Sequence, residues 1–193
     1  MNSTDRRVAR TRASLKQALV KLSVDQGYDE VTIQEITEEA NVGYRTFFRH
    51  YQDKETLLNE VLQVIFDEIL ELMMPNNSIE NSEEKFIFIS PERNTLLFQH
   101  AEENCDLYRL LLNSGSEMME FVMKFACNAA KENRERLSDS KIPSELVAHY
   151  IVSSLISMIR WWLDNNMPYP PQEMGKYASQ LIKDPVIETI SKT

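Results

Sequence analysis

A short segment near the N-terminus, NVGYRTFFRHYQDKETLL (residues 41–58), concentrates side chains that are suited to recognising a polyanion. Between Tyr44 and Tyr51 it holds aromatic rings, two arginines and a histidine. Guanidinium groups bind phosphate and guanine through paired hydrogen bonds. The whole chain, however, has a formal net charge of −9. A cationic, aromatic segment in an acidic protein therefore points to a localised binding surface.

Basic residues are also concentrated at the start of the chain. Within the first 21 residues the only acidic residue is Asp5, and the basic ones are Arg6, Arg7, Arg10, Arg12, Lys16 and Lys21. Residues 55–193 carry an excess of acidic side chains, which repel nucleic acid, so a basic end suggests a local polyanion contact. The alternative is a solvated helix face, which is the more common role of a charge run.

The composition predicts a soluble, helical protein. The chain has 193 residues, of which 42% are hydrophobic and 26% charged, and only four glycines. Few glycines favour helices, because turns between strands usually need more of them. The N-terminal residues lack the apolar core of a signal peptide. Two cysteines are too few for a disulfide framework, which favours the reducing cytoplasm.

The first helices are predicted from periodicity and from capping signals. Residues 6–26 follow a 3.6-residue apolar period and are followed by Gly27, a typical helix C-cap. The sequence from Thr32 to Glu35 forms a capping box that begins a second, short helix. Val31 and Ile36 have the spacing of the hydrophobic staple that accompanies such a cap.

A helix-turn-helix follows from the next signals. Asn41–Val42–Gly43 ends the second helix, and the third helix is predicted to run roughly from Tyr44 to Tyr51. Asp53 is a suitable N-cap for a fourth helix that begins at Lys54. Two short helices joined by a three-residue turn and packed on a longer one form the motif that places its second short helix in the DNA major groove.

The segment TIQEITEEANVGYRTFFRHYQDKETLL resembles the DNA-binding region of the TetR family of transcriptional regulators. The resemblance implies an all-α protein with an N-terminal three-helix, homeodomain-like helix-turn-helix domain in residues 1–54. A helical C-terminal ligand and dimerisation domain would occupy residues 55–193. Asn41 and Gly43 depart from the usual glycine and serine of the family pattern, and Phe48 departs from the usual tyrosine.

The resemblance also implies which residues contact DNA. Arg45 is predicted to contact a guanine, Thr46 a thymine methyl or a phosphate, and Phe48 the sugar–phosphate edge. Lys54 would add charge to a helix N-terminus that favours phosphate. Phe47 and Tyr51 are predicted core residues. The full predicted DNA-binding set is Thr32, Tyr44, Arg45, Thr46, Phe48, Arg49, His50 and Lys54.

The acidic remainder of the chain is predicted to be helical as well. Ser90 and Pro91 provide an N-cap and a first helical residue. The fourth helix is predicted to run to about Met74, followed by a polar loop at 75–84 and an extended or irregular stretch at 86–89. A helix from 91 follows, with a kink at 104–106 and then a short helix to Leu112. The last predicted helices are at 116–137, 144–164 and 171–183.

Residues 144–164 are the most apolar part of the chain. They approach the length of a membrane span, but Arg160 and His149 lie within them, so no membrane association is predicted. A helix that is apolar on every side must be buried on every side, which favours a second subunit as a cover. By resemblance, this helix and residues 171–183 form a four-helix dimer interface. The predicted interface residues are Tyr150, Ser153, Ser154, Ser157, Trp162, Met174, Tyr177 and Leu181.

The family usually holds a small-molecule effector in its C-terminal domain, although some relatives respond to another protein. The alternative for any single apolar residue is plain core. The predicted ligand-binding residues are Phe98, His100, Tyr108, Met118, Met119, Phe121, Met123, Phe125 and Trp161. No cofactor or metal site is predicted. No enzymatic activity is predicted either, because the sequence lacks a phosphate loop, a nucleophile elbow and metal-ligand spacing.

These features predict a cytoplasmic homodimer that binds a palindromic operator in double-stranded DNA. It would act as a transcriptional repressor that an effector releases or modulates. The alternative is a helical dimeric protein-interaction module, a co-regulator that acts through a partner protein and binds DNA weakly. The departures at Gly43 and Phe48, which remove two phosphate-binding hydroxyls, motivate that alternative.

Overall fold

The structure is a computed structural model that describes residues 3–73, 90–113, 120, 123–124 and 142–183. Every regular element within these ranges is helical, which confirms the all-α fold class. The helices are α1 (Ser3–Gln26), α2 (Ile33–Glu39), α3 (Tyr44–Phe47), α4 (Lys54–Met73), α5 (Pro91–Glu103), α6 (Cys105–Asn113), α7 (Ser144–Asp164) and α8 (Pro171–Ala178), which continues as a π-helix over Ser179–Lys183.

The chain forms two compact units whose boundaries differ from the predicted ones. The first unit comprises residues 1–65 and 106–118, and the second comprises residues 66–105 and 119–193. The first three turns of α4 bury Leu57, Leu58 and Leu62. These leucines contribute apolar side chains to the core of the first unit, which includes α4 up to Ile65.

In the first unit, α1 begins three residues before the predicted start and ends as predicted. Gly27 lies in the left-handed region at φ +88°, and its N–H donates to the Ser23 carbonyl at 3.0 Å. This conformation suits glycine, which has no Cβ to clash. Leu15 and Leu19 are fully buried and place one face of the helix in the core.

The capping box at the start of α2 is confirmed. The Glu35 N–H donates to Thr32 Oγ1 at 3.2 Å, and the Thr32 N–H donates to the Glu35 carboxylate at 2.8 Å. Val31 and Ile36 are both buried beside this cap. Asn41 adopts a left-handed φ of +52°, so asparagine fills the position where the family pattern has glycine. Asparagine tolerates this region better than other non-glycine residues.

The third helix is shorter than predicted. Regular α-helix covers only Tyr44–Phe47, and the chain then continues as a tighter turn up to Tyr51. The Arg49 N–H donates to the Thr46 carbonyl and the His50 N–H to the Phe47 carbonyl, which are three-residue spacings. Such spacings are typical of the last turn of a helix, where the backbone tightens.

A polar cluster joins α1 to α4 in the first unit. The Arg12 guanidinium bonds to the Glu60 carboxylate, and Lys16 Nζ lies 3.2 Å from the same carboxylate. Burial alone would raise the pKa of the Glu60 carboxyl, but its hydrogen bonds with Arg12, Tyr51 and Lys16 together lower that pKa. The hydrogen bond to Glu60, and a weaker one to Tyr51, raise the pKa of Arg12.

In the second unit, α5 packs closely against α8. Ser90 and Pro91 begin α5 as predicted, with Ser90 Oγ accepting the Arg93 N–H at 3.2 Å. The predicted kink is also present, because α5 ends at Glu103 and α6 begins at Cys105. A Cβ added to Gly175 of α8 would meet Thr95 Oγ1 and would lie 2.8 Å from the Thr95 backbone nitrogen. Because Gly175 has no side chain, the two helices can approach this closely.

The environments of three residues in the second unit are opposite to the predicted ones. Trp162 and Met174, both predicted at the dimer interface, are 0% and 2% exposed within the single chain. Trp162 Nε1 donates to the Tyr169 carbonyl at 2.8 Å, and its ring meets Phe98 edge-on at 5.3 Å. Trp161, predicted to line a ligand pocket, is 49% exposed and stacks on Tyr169 instead.

By length and composition, α7 meets the criteria for a membrane span over Glu145–Asp164, with a mean hydropathy of 1.3. Core helices of soluble proteins meet the same criteria, and 39% of the apolar window is already buried within the chain. The apolar character of α7 is therefore explained at least in part by packing.

Three predicted features lie largely outside the described residues. The polar loop at 75–84 and the stretch at 86–89 fall there entirely. Most of the helix predicted at 116–137 also falls there, although Glu120, Met123 and Lys124 are helical.

The contact between Gly175 and Thr95 predicts a large effect of a single methyl group. Gly175→Ala should lower the free energy of unfolding by about 1–3 kcal/mol, because the new Cβ meets the Thr95 backbone as well as its side chain, and the backbone cannot move aside as a side chain can. Urea unfolding followed by circular dichroism measures the change. Lys176→Ala, a substitution at the next, exposed residue, serves as a control. An unchanged stability of Gly175→Ala would show that the helices are not held this closely.

Candidate DNA-binding surface

The segment from Tyr44 to Tyr51, called the recognition segment below, is anchored through aromatic side chains. Phe47 is fully buried and Tyr51 is 3% exposed, so both are core residues as predicted. The Phe47 ring lies 5.7 Å from that of Tyr51 and 5.3 Å from that of Phe48. The Phe47 and Phe48 rings meet edge-to-face and those of Phe47 and Tyr51 are tilted at 46°, and such contacts favour particular ring orientations. The buried rings thereby orient the exposed side of the segment.

Two aromatic rings stand on the exposed side of the recognition segment. Tyr44 is 54% exposed and Phe48 is 48% exposed. They are one helical turn apart and meet edge-on, with ring centroids at 5.2 Å and an interplanar angle of 64°. Large exposed apolar groups that are held in place are typical of a binding surface.

The cations of the recognition segment are available for an outside partner. Arg45 and Arg49 are exposed, and neither has an ion-pair partner among the described residues. Thr46 and His50 are half-buried beside them. A Cβ at Gly43 would lie 3.5 Å from Thr46 Oγ1, an ordinary contact, so the lack of a serine hydroxyl there is not imposed by space.

The hydroxyl of Thr32, one of the predicted DNA-binding residues, is used within the capping box of α2. Its Oγ1 accepts the Glu35 N–H and donates to the Glu35 carboxylate at 2.7 Å. The hydrogen bonds that the Thr32 side chain and the Thr32 backbone donate to the Glu35 carboxylate lower the pKa of Glu35. The negative charge of Glu35 therefore lies beside the Thr32 hydroxyl at the start of α2.

Lys54 also differs from its predicted role. Its Nζ donates to the carbonyls of Tyr28 at 2.8 Å, Val31 at 2.7 Å and Asp29 at 3.4 Å. The Lys54 ammonium also lies 4.3 Å from the centroid of the Tyr28 ring. Burial lowers the pKa of Lys54. An ammonium has three donors, and here all three face the turn between α1 and α2. Lys54 thus ties the start of α4 to that turn rather than presenting its charge to DNA.

The start of α4 is otherwise as predicted. Asp53 Oδ1 accepts the Thr56 N–H and the Thr56 hydroxyl, both at 2.7 Å. The backbone hydrogen bond from Thr56 lowers the pKa of Asp53 below its usual value. A charged N-cap of this kind stabilises the first turn of a helix.

The predicted ligand-binding residues do not share one environment. Phe98 and Tyr108 are buried, and Met123 is half-buried. His100 is half-buried, with Nε2 3.2 Å from the Glu68 carboxylate. Trp161 faces outward, which removes it from an interior site. The remaining four, Met118, Met119, Phe121 and Phe125, lie outside the described residues.

One buried polar residue was missed by the sequence analysis. Asn94 is 0% exposed, and neither its side-chain oxygen nor its side-chain nitrogen has a hydrogen-bond partner in the described part of the chain. It shares the buried face of α5 with Leu97, Phe98 and Ala101. The sequence did contain a signal for it, because Asn94 is a polar residue at a position where the helical period of α5 predicts an apolar one. Buried amides of this kind are rare and costly when unsatisfied.

The predicted dimer residues other than Trp162 and Met174 are at least partly accessible. Tyr150 is 47% exposed and Leu181 is 62% exposed. Ser157 and Tyr177 are exposed as well, and Ser153 and Ser154 are half-buried. Leu146 and Trp161, which were not predicted at the interface, are exposed on α7 at helical spacing from Tyr150. These three side chains form an apolar stripe on α7 that the described residues leave accessible.

Comparisons with known proteins decide the family. Residues 16–61 match the family model described as "Bacterial regulatory proteins, tetR family", and residues 94–184 match the model "Transcriptional regulator C-terminal region". The first match contains the capping box and the recognition segment. The chain belongs to the TetR family. Its all-helical architecture agrees with this assignment.

Relatives of this TetR-family chain include one curated protein that matches over nearly all of it. The chain is 26% identical over 185 residues to the uncharacterised HTH-type transcriptional regulator YxbF of Bacillus subtilis strain 168. That match covers 92% of this chain but 46% of YxbF, so the chain spans about half the length of that relative.

Solved structures share the fold at low sequence identity. A TetR-family transcriptional regulator from Syntrophomonas wolfei superimposes with a TM-score of 0.75 at 18% identity, covering 92% of this chain and 95% of that one. SmeT of Stenotrophomonas maltophilia, described as the repressor of the multidrug efflux pump SmeDEF, has a TM-score of 0.70 at 12% identity, with coverages of 89% and 87%.

The geometry at Lys54 predicts a structural rather than a DNA-binding effect of its replacement. Lys54→Met should lower the free energy of unfolding by about 1–3 kcal/mol, because three carbonyls lose a charged donor. The dependence of DNA affinity on salt should stay the same, since the Lys54 ammonium binds carbonyls and not a phosphate. Urea unfolding and anisotropy titrations at several salt concentrations measure the two effects. A fall of about 1 in the salt slope with unchanged stability would instead support a phosphate contact.

Proposed function

We propose that the protein is a DNA-binding transcriptional regulator that reads an operator with its recognition segment. The observation that carries the proposal is the pair of exposed guanidinium groups of Arg45 and Arg49, which have no ion-pair partner among the described residues. They flank the rings of Tyr44 and Phe48, which hold each other edge-on. Arginine contacts both guanine edges and phosphates, and aromatic side chains pack on sugars and thymine methyl groups. The membership of the TetR family supports this function.

The regulator is proposed to act as a homodimer on a palindromic operator. Leu146, Tyr150 and Trp161 leave an apolar stripe on α7, and Tyr177 and Leu181 are exposed on the following helical segment. We infer that a second copy of the chain packs on these residues, since most soluble oligomers are symmetric dimers. Such a dimer would place two recognition segments about one DNA turn apart, where they read the two halves of a palindrome.

Regulation is proposed to be repression that an effector relieves. SmeT, which shares the fold, is by its description a repressor, and this supports the sign of regulation. An effector changes DNA affinity only by its different affinity for the DNA-competent state and the released state. Asn94 beside Phe98 is the proposed polar contact for such an effector, because its buried amide lacks a partner among the described residues.

The first experiment measures binding to the DNA upstream of the protein's own gene. Fluorescence anisotropy at two salt concentrations, with random duplex as competitor, should show tight, competitor-resistant binding. Arg45→Ala should weaken operator binding by about 1–3 kcal/mol, because it removes a base contact. Lys176→Ala removes an exposed charge from α8 and should leave the affinity unchanged. Binding that is weak and equal for both duplexes would support the protein-interaction module instead.

A second experiment tests the dimer interface. Sedimentation equilibrium of the wild-type protein should show a dimer, and Tyr150→Glu should raise its dissociation constant at least roughly tenfold, because the carboxylate would be buried unpaired. Val64→Glu serves as a matched control, since Val64 is a similarly exposed apolar residue, at 48%, on α4. Equal effects of the two substitutions would argue against α7 as the interface.

A third experiment tests Asn94. Asn94→Leu has the same branching and removes the unsatisfied amide, so the ligand-free protein should gain about 1–3 kcal/mol of unfolding free energy. Compounds that release the wild-type protein from its operator should fail to release the variant. A lower stability of the variant would show that Asn94 makes a hydrogen bond that holds the fold together.

A further inference from the structure

The six basic residues of α1 divide into two groups in the structure. Arg12 and Lys16 both bind the carboxylate of Glu60 on α4, and Lys21 Nζ lies 2.6 Å from the Glu39 carboxylate on α2. These three cations are neutralised within the first unit. They contribute to holding its helices together and present little net charge to an outside partner.

The other three, Arg6, Arg7 and Arg10, are different. All three are exposed, and none has an ion-pair partner among the described residues. Arg10 follows Arg6 by four residues and Arg7 by three, so the guanidinium groups are neighbours on the helix surface. Three like charges at this spacing repel one another and favour a polyanionic partner.

The part of α1 that carries these arginines is not packed on the core. Val8 is 38% exposed, although Leu15, seven residues later on the same helical face, is fully buried. Every described side chain from Asp5 to Arg10 is exposed. These exposed first turns of α1 therefore extend beyond the core and are called the arm below.

This arm leaves the core next to the recognition segment. Arg12 Nε donates to the Tyr51 hydroxyl at 3.3 Å, and the guanidinium carbon lies 5.6 Å from the Tyr51 ring centroid. Tyr51 is the last residue of the recognition segment. Arg10 and Arg6 precede Arg12 by two and six residues, or roughly 3 and 9 Å along the helix axis at about 1.5 Å per residue. The arm can therefore reach phosphates beyond the bases that the recognition segment reads.

We propose that Arg6, Arg7 and Arg10 form a second DNA contact, which binds the sugar–phosphate backbone beside the operator bases. The inference rests on the proposed function and extends it. The contact is to phosphates because three exposed guanidinium groups on consecutive turns of one helix suit the repeated charges of a sugar–phosphate backbone. Phosphate contacts of this kind raise affinity for every DNA sequence and carry no sequence information directly.

The test compares two triple variants of the full chain. Replacing Arg6, Arg7 and Arg10 together by glutamine removes the charge and keeps a good helix former. Replacing the same three residues by lysine keeps the charge. Affinities for the operator and for random duplex are measured by anisotropy between about 50 and 300 mM salt, a range wide enough to resolve salt slopes. Circular dichroism and urea unfolding check that both variants fold.

The glutamine variant should bind the operator and random duplex more weakly by the same factor. Its slope of log affinity against log salt should fall by about 1 for each phosphate that is no longer bound, or about 3 per bound protomer. The lysine variant should keep most of the affinity and of the slope. Hydroxyl-radical footprints of the wild-type protein should be longer at their ends than those of the glutamine variant.

Three results would overturn the proposal. One is an unchanged salt slope in the glutamine variant, and another is a weaker affinity confined to the operator, which would indicate base reading. The third is a raised dissociation constant of the dimer, which would show that the arm binds an acidic surface of a second copy. A wild-type protein with no preference for its operator would refute the proposed function instead, so the two failures are distinguishable.

Discussion

The burial of one ring, Phe47, determines how the DNA-reading side chains are presented. The helix that carries it has four residues, far below the length at which an isolated helix is stable in water. Its conformation must therefore come from tertiary contacts, and Phe47 supplies them because its ring is fully buried in the core. Once that ring is fixed, the directions of Tyr44, Arg45 and Arg49 follow from helical geometry.

Charge in the first unit is divided between the core and the periphery. An acidic chain that binds DNA must keep some cations free, yet it also needs cations to pair with its own carboxylates. The residues nearest the core, Arg12, Lys16 and Lys54, are used within the protein. Those at the periphery, on the recognition segment and on the first turns of α1, are left for a partner. The division follows the position of the carboxylates, because the paired cations lie beside Glu39 or Glu60, whereas no ion pair reaches the cations of the recognition segment among the described residues.

Local signals in the sequence predicted local structure well. The capping box at Thr32, the C-cap at Gly27 and the N-caps at Asp53 and Ser90 all involve residues within four positions of each other. Their geometry is decided by the backbone that carries them, so a pattern in the sequence is sufficient. Most helix starts and ends were correct for the same reason, whereas the early end of α3 depends on packing.

Features that depend on distant parts of the chain were not predictable in this way. The helix α7 is apolar on all sides, so its sequence does not reveal which side faces inward, and the predicted environments of Trp161 and Trp162 are the reverse of those in the fold. Lysine at a helix start is a typical phosphate-binding residue. Only the folded structure shows that the Lys54 ammonium already donates hydrogen bonds to three carbonyl oxygens. The helical period could have placed Asn94 on the buried face of α5, but only the folded structure shows that its amide has no hydrogen-bond partner among the described residues.

The contrast between the two tryptophans has an optical consequence. They are the only two in the chain, and they are adjacent in sequence but opposite in environment. Trp162 is buried against Phe98, and its indole N–H donates to a carbonyl. Its fluorescence emission should therefore be blue-shifted, and aqueous quenchers should not reach it. Trp161 is half-exposed, so its emission should be red-shifted and iodide should quench it. The molecule thus contains an intrinsic pair of fluorophores, one reporting on its interior and the other on whatever covers its surface.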